Sequence, residues 1–247
     1  MKSITLFLFI LLSISSLSAQ ELQEVLNNYY ETVGMEKMHQ VNNMVTKGSI
    51  NQMGMDMTYT ITITRSGKMY LEVPLQGMVM KRGYDGTEGW MTAPWTGSSD
   101  PIALGEFEVK AIKNQVDIEG MLYQPETKGY TVEFLGKEDM EGSPVFVIKL
   151  TDAAGDIYQF YLDAENYVIL KNKNTLNYQG SKIESETLMS NYKPVDGMIM
   201  PYSMESKING QLQSVITVDE YLFNQDVNDS IFIKPLPQPK PAAEPEK

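Results

Sequence analysis

The residues that could do chemistry are few, and their spacing argues against most catalysis. There is no cysteine, which removes thiol nucleophiles, disulfides and Cys-based zinc sites. His39 is the single histidine. It follows a predicted helix beside Gln40, and no nucleophile-elbow pattern supplies a serine for a triad. Asp152, Asp156 and Asp163 are calcium-type ligands, but they do not fall at the alternate positions of a binding loop, so they read as turn residues. Trp90 and Trp95 lie near Asp85 and Glu88. A glycan platform is one reading of them; a buried strand Trp with a second Trp on a rim is the favoured one. No carboxylate pair is marked out for glycoside hydrolysis. No cofactor and no metal is expected.

What the sequence offers instead is a surface. Met55, Met57, Tyr59, Ile61 and Ile63 alternate with Asp56, Thr58, Thr60, Thr62 and Thr64. A period of two marks a β-strand with one face turned to an apolar interior. Arg65 continues the apolar row. A cation at the rim of a Met-rich wall suggests a ligand cavity rather than an ordinary core, with the five apolar residues as its lining. Methionine suits a cavity for flexible chains because its unbranched thioether repacks easily. There are 17 methionines, and Met35, Met38, Met44, Met53, Met55, Met57, Met69, Met78 and Met80 crowd the first third. Plain core packing and cavity lining are both open for them.

These residues need elements to position them. Leu22, Val25, Leu26, Tyr29, Tyr30 and Val33 predict an amphipathic helix over Glu21–Met38, with Gly34 as a break. Strands follow at Val45–Ile50, Met55–Arg65, Lys68–Val73, Gly77–Tyr84 and Gly89–Ala93. Asp85-Gly86 makes a strong turn because both positions tolerate positive φ. Trp95–Pro101 reads as a loop and Glu106–Leu122 as a second helix. From Tyr130 to Phe223 the pattern is an antiparallel meander, and Phe232–Ile233 could add a terminal strand. About eleven strands are too many for a small open sheet. A mainly β fold follows, a strongly curved sheet or partial barrel with helices closing one side.

Residues 1–19 read as a secretion signal, with Lys2, the apolar run Ile4–Leu12, and small residues to Ala19. The run is far shorter than the ~20 residues that span a bilayer. Residues 20–235 then form one domain outside the cytoplasm, and the Pro-rich tail 236–247 is expected to be extended. The formal charge is −12. Nucleic acid is a poor partner for such a chain, and adsorption to anionic headgroups is disfavoured.

Arg65-Ser-Gly-Lys-Met-Tyr-Leu-Glu-Val73, followed by Tyr84-Asp-Gly-Thr-Glu-Gly-Trp-Met-Thr-Ala-Pro94, resembles the periplasmic outer-membrane lipoprotein carrier (lipoprotein-sorting) family. The later Gly155–Asp163 and Val227–Pro235 segments fall in the family's order. The resemblance implies a half-open antiparallel β-barrel with a helical lid of two or three helices. It implies no enzymatic activity. The cavity would take lipoprotein acyl chains or other lipid, moving them from an inner-membrane donor toward an outer-membrane acceptor. It also implies that Arg65 bonds into the lid region and sets closed and open states. Ser66 stands where the family usually has proline, which leaves open a relative with different cargo. An envelope sensor or interaction module on the same fold is the alternative.

Overall fold

The computed structural model describes residues 19–236, apart from Met53, Gly97 and Ser99. The signal at 1–19 and the tail at 236–247 therefore lie outside the described residues, save for Ala19 and Leu236, as does Met53. In chain order the helices are α1 (residues 19–33), α2 (Met35–Met38) and α3 (Glu106–Gln115). The strands are β1 (Asn43–Gln52), β2 (Met55–Thr64), β3 (Met69–Leu75), β4 (Met78–Tyr84), β5 (Gly89–Thr92), β6 (Ile102–Ala103), β7 (Thr131–Met140), β8 (Ser143–Thr151), β9 (Ile157–Asp163), β10 (Ile169–Tyr178), β11 (Ser181–Val195), β12 (Met198–Ile208) and β13 (Gln211–Phe223). They hydrogen-bond in the order β6-β5-β4-β3-β2-β1-β13-β12-β11-β10-β9-β8-β7, and β6 and β7 end the order unpaired with each other. The sheet is therefore open. Thirteen strands replace the expected eleven or so; two-residue β6 is too short for any alternation to reveal it.

The chain divides into two compact units. The first holds residues 1–40 and 119–217 and the second 41–118 and 218–247, so the division falls within β13.

In the first unit, Gly34 breaks the leading helix as expected, at φ 73. A Cβ there would lie 2.2 Å from the Gly197 carbonyl oxygen in the β11–β12 turn, so only glycine fits. The core centres on β8, where Val145, Val147, Ile148 and Leu150 are fully buried. Both faces of this strand are covered, which is why its apolar residues run on without alternation. One cross-strand row is charged at five of its six positions: Glu133, Lys149, Gln159, Lys173, Glu186 and Lys207 face one another across β7 to β12.

In the second unit, α3 packs on β2, β3 and β4 through Ile112 and Val116, against Ile63, Met69 and Tyr84. This helix is shorter than the expected Glu106–Leu122. It stops at Val116 (φ −87, ψ 0), and Gly120 follows with φ 74. Val116 and Leu122 are buried all the same. The apolar positions that suggested more helix are core residues on irregular chain. Phe232–Ile233 forms no strand; Asp229–Phe232 is a 3-10 turn capped by Asn228, whose side chain accepts from the Ser230 N–H at 3.0 Å.

Candidate functional site

Residues directly opposite each other on antiparallel strands share a face. The register of β1 to β6 therefore lays out the face of β2 that carries the expected lining residues, row by row. Nearest α3 lie Met44, Ile63, Met69, Tyr84 and Gly89. The second row is Thr46, Ile61, Leu71, Arg82, Met91 and Ile102. The third holds Gly48 and Tyr59 on β1 and β2, with Val73 and Met80 on β3 and β4. Farther out are Ile50 and Met57, then Gln52 and Met55, with Leu75 and Met78 on the neighbouring pair.

The five lining candidates thus stand in one line, from under the helix to the far end of the strand. Ile63 is buried among Met69, Tyr84, Ile112 and Val116, and Ile61 packs against that cluster. Tyr59 is buried, and its phenol is pushed up to about 12 by burial and by Asp219. Met57 is half-buried, and Met55 is 52% exposed. Burial does not fall evenly along the line, since Tyr59 is buried and Ile61 half-buried, but the far end at Met57 and Met55 is the open one. Leu71, Leu75, Met78, Met80 and Met91 are half-buried, and Ile102 is 52% exposed.

The opposite face is built differently. Thr60 sits with Lys47, Glu72 and Lys81. Thr62 sits with Val45, Tyr70, Gly83 and Trp90. A Cβ on Gly83 would lie 2.4 Å from the Trp90 ring, so the indole lies flat on the backbone of β4. Trp90 Nε1 donates to the Phe232 carbonyl at 2.9 Å, and both residues are buried. Thr62 and Thr64 are buried too, so the hydroxyl face of β2 is not uniformly wet.

Arg65 lies just past β2 and is exposed. Its Nε donates to the Val41 carbonyl at 2.7 Å, and its backbone N–H donates to the Asn42 carbonyl at 2.8 Å. It thereby ties the turn after β2 to the chain entering β1. The other residues singled out from the sequence do local work. Asp152 Oδ1 accepts from the Ala154 and Asp156 N–H groups, each at 2.9 Å, and Asp163 Oδ1 from those of Glu165 and Asn166 at 2.9 and 2.7 Å. His39 Nδ1 is 3.1 Å from Glu119 Oε1, with its ring edge-on to Tyr123. Trp95 is exposed in a 3-10 turn. Among the described residues no group of three or more His, Cys, Asp and Glu could hold a metal ion.

One residue of the face escaped the sequence reading. Arg82 stands on β4 between Leu71 and Met91, in the row just beyond the helix-covered one. Burial pulls its guanidinium below the ordinary arginine range, and nearby Glu108 pulls the other way. Its Nε is buried and lacks a hydrogen-bond partner among the described residues. The Glu108 carboxylate is occupied at the start of α3, where it accepts from the Gly105 N–H at 2.9 Å. The signal was present in the spacing: Met78, Met80, Arg82 and Tyr84 follow one another at every second position.

No family model and no curated protein matches the sequence. Solved structures do match. A LolA superfamily protein from Nitrosomonas europaea superposes with a TM-score of 0.57 at 17% identity, over 86% of this chain and 97% of that one. A DUF1329 family protein from Desulfovibrio piger gives 0.56 at 14% identity, over 84% and 96%. A domain assigned to outer-membrane lipoprotein sorting in Vibrio parahaemolyticus gives 0.51 at 12% identity, over 82% and 95%. At these identities the likeness is one of fold, and the fold of this chain is LolA-like.

Proposed function

We propose that this protein is a non-enzymatic carrier that binds acyl chains on the Met-rich face of β1 to β6 and moves lipoproteins, through the periplasm, toward the outer membrane. The observation that supports this most directly is the uncovered end of that face. Met55, Met57, Leu75, Met78, Met80 and Ile102 keep partial or substantial exposure on one side of six strands. An acyl chain laid there gains about 0.8 kcal/mol per buried methylene. Flexible thioethers let the surface adapt to chains of different shape. Met55, Met57, Tyr59, Ile61 and Ile63 form the wall in this reading. Residues 20–235 act as one working domain after removal of a leader.

Release needs a state in which the chain's own apolar groups compete for the wall. Helix α3 already does so at the first row, through Ile112 and Val116. Arg65, bonded to Val41, would hold the rim in one of the two states.

Native mass spectrometry of protein isolated from the envelope tests the carrier reading directly. Co-purified lipid or acylated peptide is the expected result, together with saturable binding of a fluorescent acyl probe. Protein that carries no lipid and binds no such probe would rule the reading out.

A further inference from the structure

We infer that Arg82 is the head-group anchor of the apolar face, and that the amphiphile it selects is a long-chain carboxylate. This rests on the acyl-binding part of the carrier reading and departs from its cargo, since acyl chains linked to a lipoprotein are esters or amides and carry no free carboxylate. The observation is a cation whose Nε is buried without a hydrogen-bond partner, and whose one charged neighbour, Glu108, acts on it without an ion pair. Arg82 shares its row with Thr46, Ile61, Leu71, Met91 and Ile102, none of them ionisable. The adjoining rows contribute Met69, Tyr84, Val73 and Met80. No ion pair joins Arg82 to Glu108, whose carboxylate already caps α3. A desolvated guanidinium nitrogen without a partner is costly, and native structures seldom keep one without a use.

The position fits a head group. Arg82 lies in the row just beyond the one that α3 covers; along its own strand Met80 and Met78 are half-buried, while Tyr59 and Val73 in the adjoining row are buried. An acyl chain along the open rows, over Met80 and Met78, would bring its polar end to Arg82. The unpartnered atom is Nε, and a carboxylate that approaches a guanidinium side-on engages Nε and one terminal nitrogen together, as a planar two-bond fork. A single guanidinium also matches a single negative charge. The chain as a whole carries −12, so its outer surface repels anionic membranes. A half-buried arginine therefore selects among single amphiphiles without promoting adsorption to a bilayer.

The test uses matched probes on the full protein. The first is a fluorescent fatty acid, the second its methyl ester, and the third a probe with the same chain and a phosphodiester head. The parent protein should prefer the acid to the ester by at least tenfold at neutral pH. Arg82→Met should bring that ratio near one while leaving ester affinity intact, since Met continues the apolar row. Arg82→Lys should restore part of the preference. Equal binding of acid and ester by the parent, or a preference that survives Arg82→Met, would overturn the assignment while the acyl-carrier reading stands. A larger Arg82 dependence for the phosphodiester probe would overturn the carboxylate as the selected head. If none of the probes binds, the carrier reading itself fails, and circular dichroism of each variant shows whether it folds like the parent.

Discussion

In the first unit the charges of the row Glu133, Lys149, Gln159, Lys173, Glu186 and Lys207 find opposite charges in the row or beside it. Lys173 Nζ is 3.1 Å from Glu184 and 4.0 Å from Glu186, and Lys207 Nζ is 2.9 Å from Glu205. In the second unit Arg82 stands in its row with Leu71 on one side and Met91 on the other. The same antiparallel geometry thus serves two ends. A row whose lysines are paired with glutamates in it and beside it holds a sheet's register and asks nothing of a ligand. A lone cation in an apolar row leaves register to packing and keeps its hydrogen-bonding capacity for something that arrives.

The contrast breaks most decisively at Ile61. Ile61→Glu puts a second, opposite charge into the row of Arg82 and should abolish binding of apolar probes, because a carboxylate in that wall is costly for an acyl chain to cover. Thr60→Glu, one residue away beside Lys47, Glu72 and Lys81, should bind as the parent does. Equal losses in the two variants, read by probe titration, would show that the wrong face has been assigned to the ligand.

Next in size is the difference between core and wall. Ile148, fully buried in β8, should cost about 2–5 kcal/mol of stability when cut to alanine. Met57→Ala should cost about 1 kcal/mol or less, yet weaken probe binding. Urea unfolding beside probe titration separates the two. A Met57 variant that loses stability like Ile148→Ala would mean that the Met-rich face is simply core.

Arg65→Leu removes a charge-assisted bond to the Val41 carbonyl, worth about 1.5–3 kcal/mol where water is excluded and less at this exposed position. Loading should persist while hand-over to acceptor vesicles slows, and Arg65→Lys should rescue only in part, since an ammonium lacks the planar fork. Unchanged transfer by Arg65→Leu would reduce Arg65 to a tie between the turn and β1.

The smallest effect sharpens the opening contrast. Arg82→Met should leave stability unchanged or raise it by up to about 1 kcal/mol, because a buried Nε without a partner is removed. Lys173→Met leaves Glu184 and Glu186 without their shared cation and should cost about 0.5–1 kcal/mol. Differential scanning calorimetry gives both values. A marked loss for Arg82→Met would mean that the guanidinium is satisfied within the fold.

Much of this layout could be read along the chain. Strict alternation placed the five lining candidates on one face of β2, and Gly34 ended the first helix where its left-handed geometry is needed. The misses have specific causes. Val116, Ile118 and Leu122 are apolar because they are packed, and periodicity cannot tell such a segment from helix. The 3-10 turn at Asp229–Phe232 buries Phe232 and accepts the Trp90 hydrogen bond through its carbonyl, a long-range contact invisible in local pattern. Arg65 drew notice because it ended a visible row. Arg82 sat in a row of only two methionines and a tyrosine, and its isolation emerged only when register put Leu71 and Met91 beside it.

The exposed methionines carry a further consequence. With no cysteine in the chain, thioether is its only form of sulfur. Met55 is 52% exposed and Met57, Met78, Met80 and Met91 are half-buried, so an oxidant reaches them more readily than the sulfur of Met69 or Met198, both 2% exposed. Each sulfoxide replaces a polarizable apolar atom with a strong S–O dipole. A few such events would turn the Met-rich face hydrophilic while the packed core stays as it was, and reduction of the sulfoxides would restore it. The adaptability that methionine gives the face thus also makes the lipid binding proposed for it sensitive to the redox condition of its surroundings.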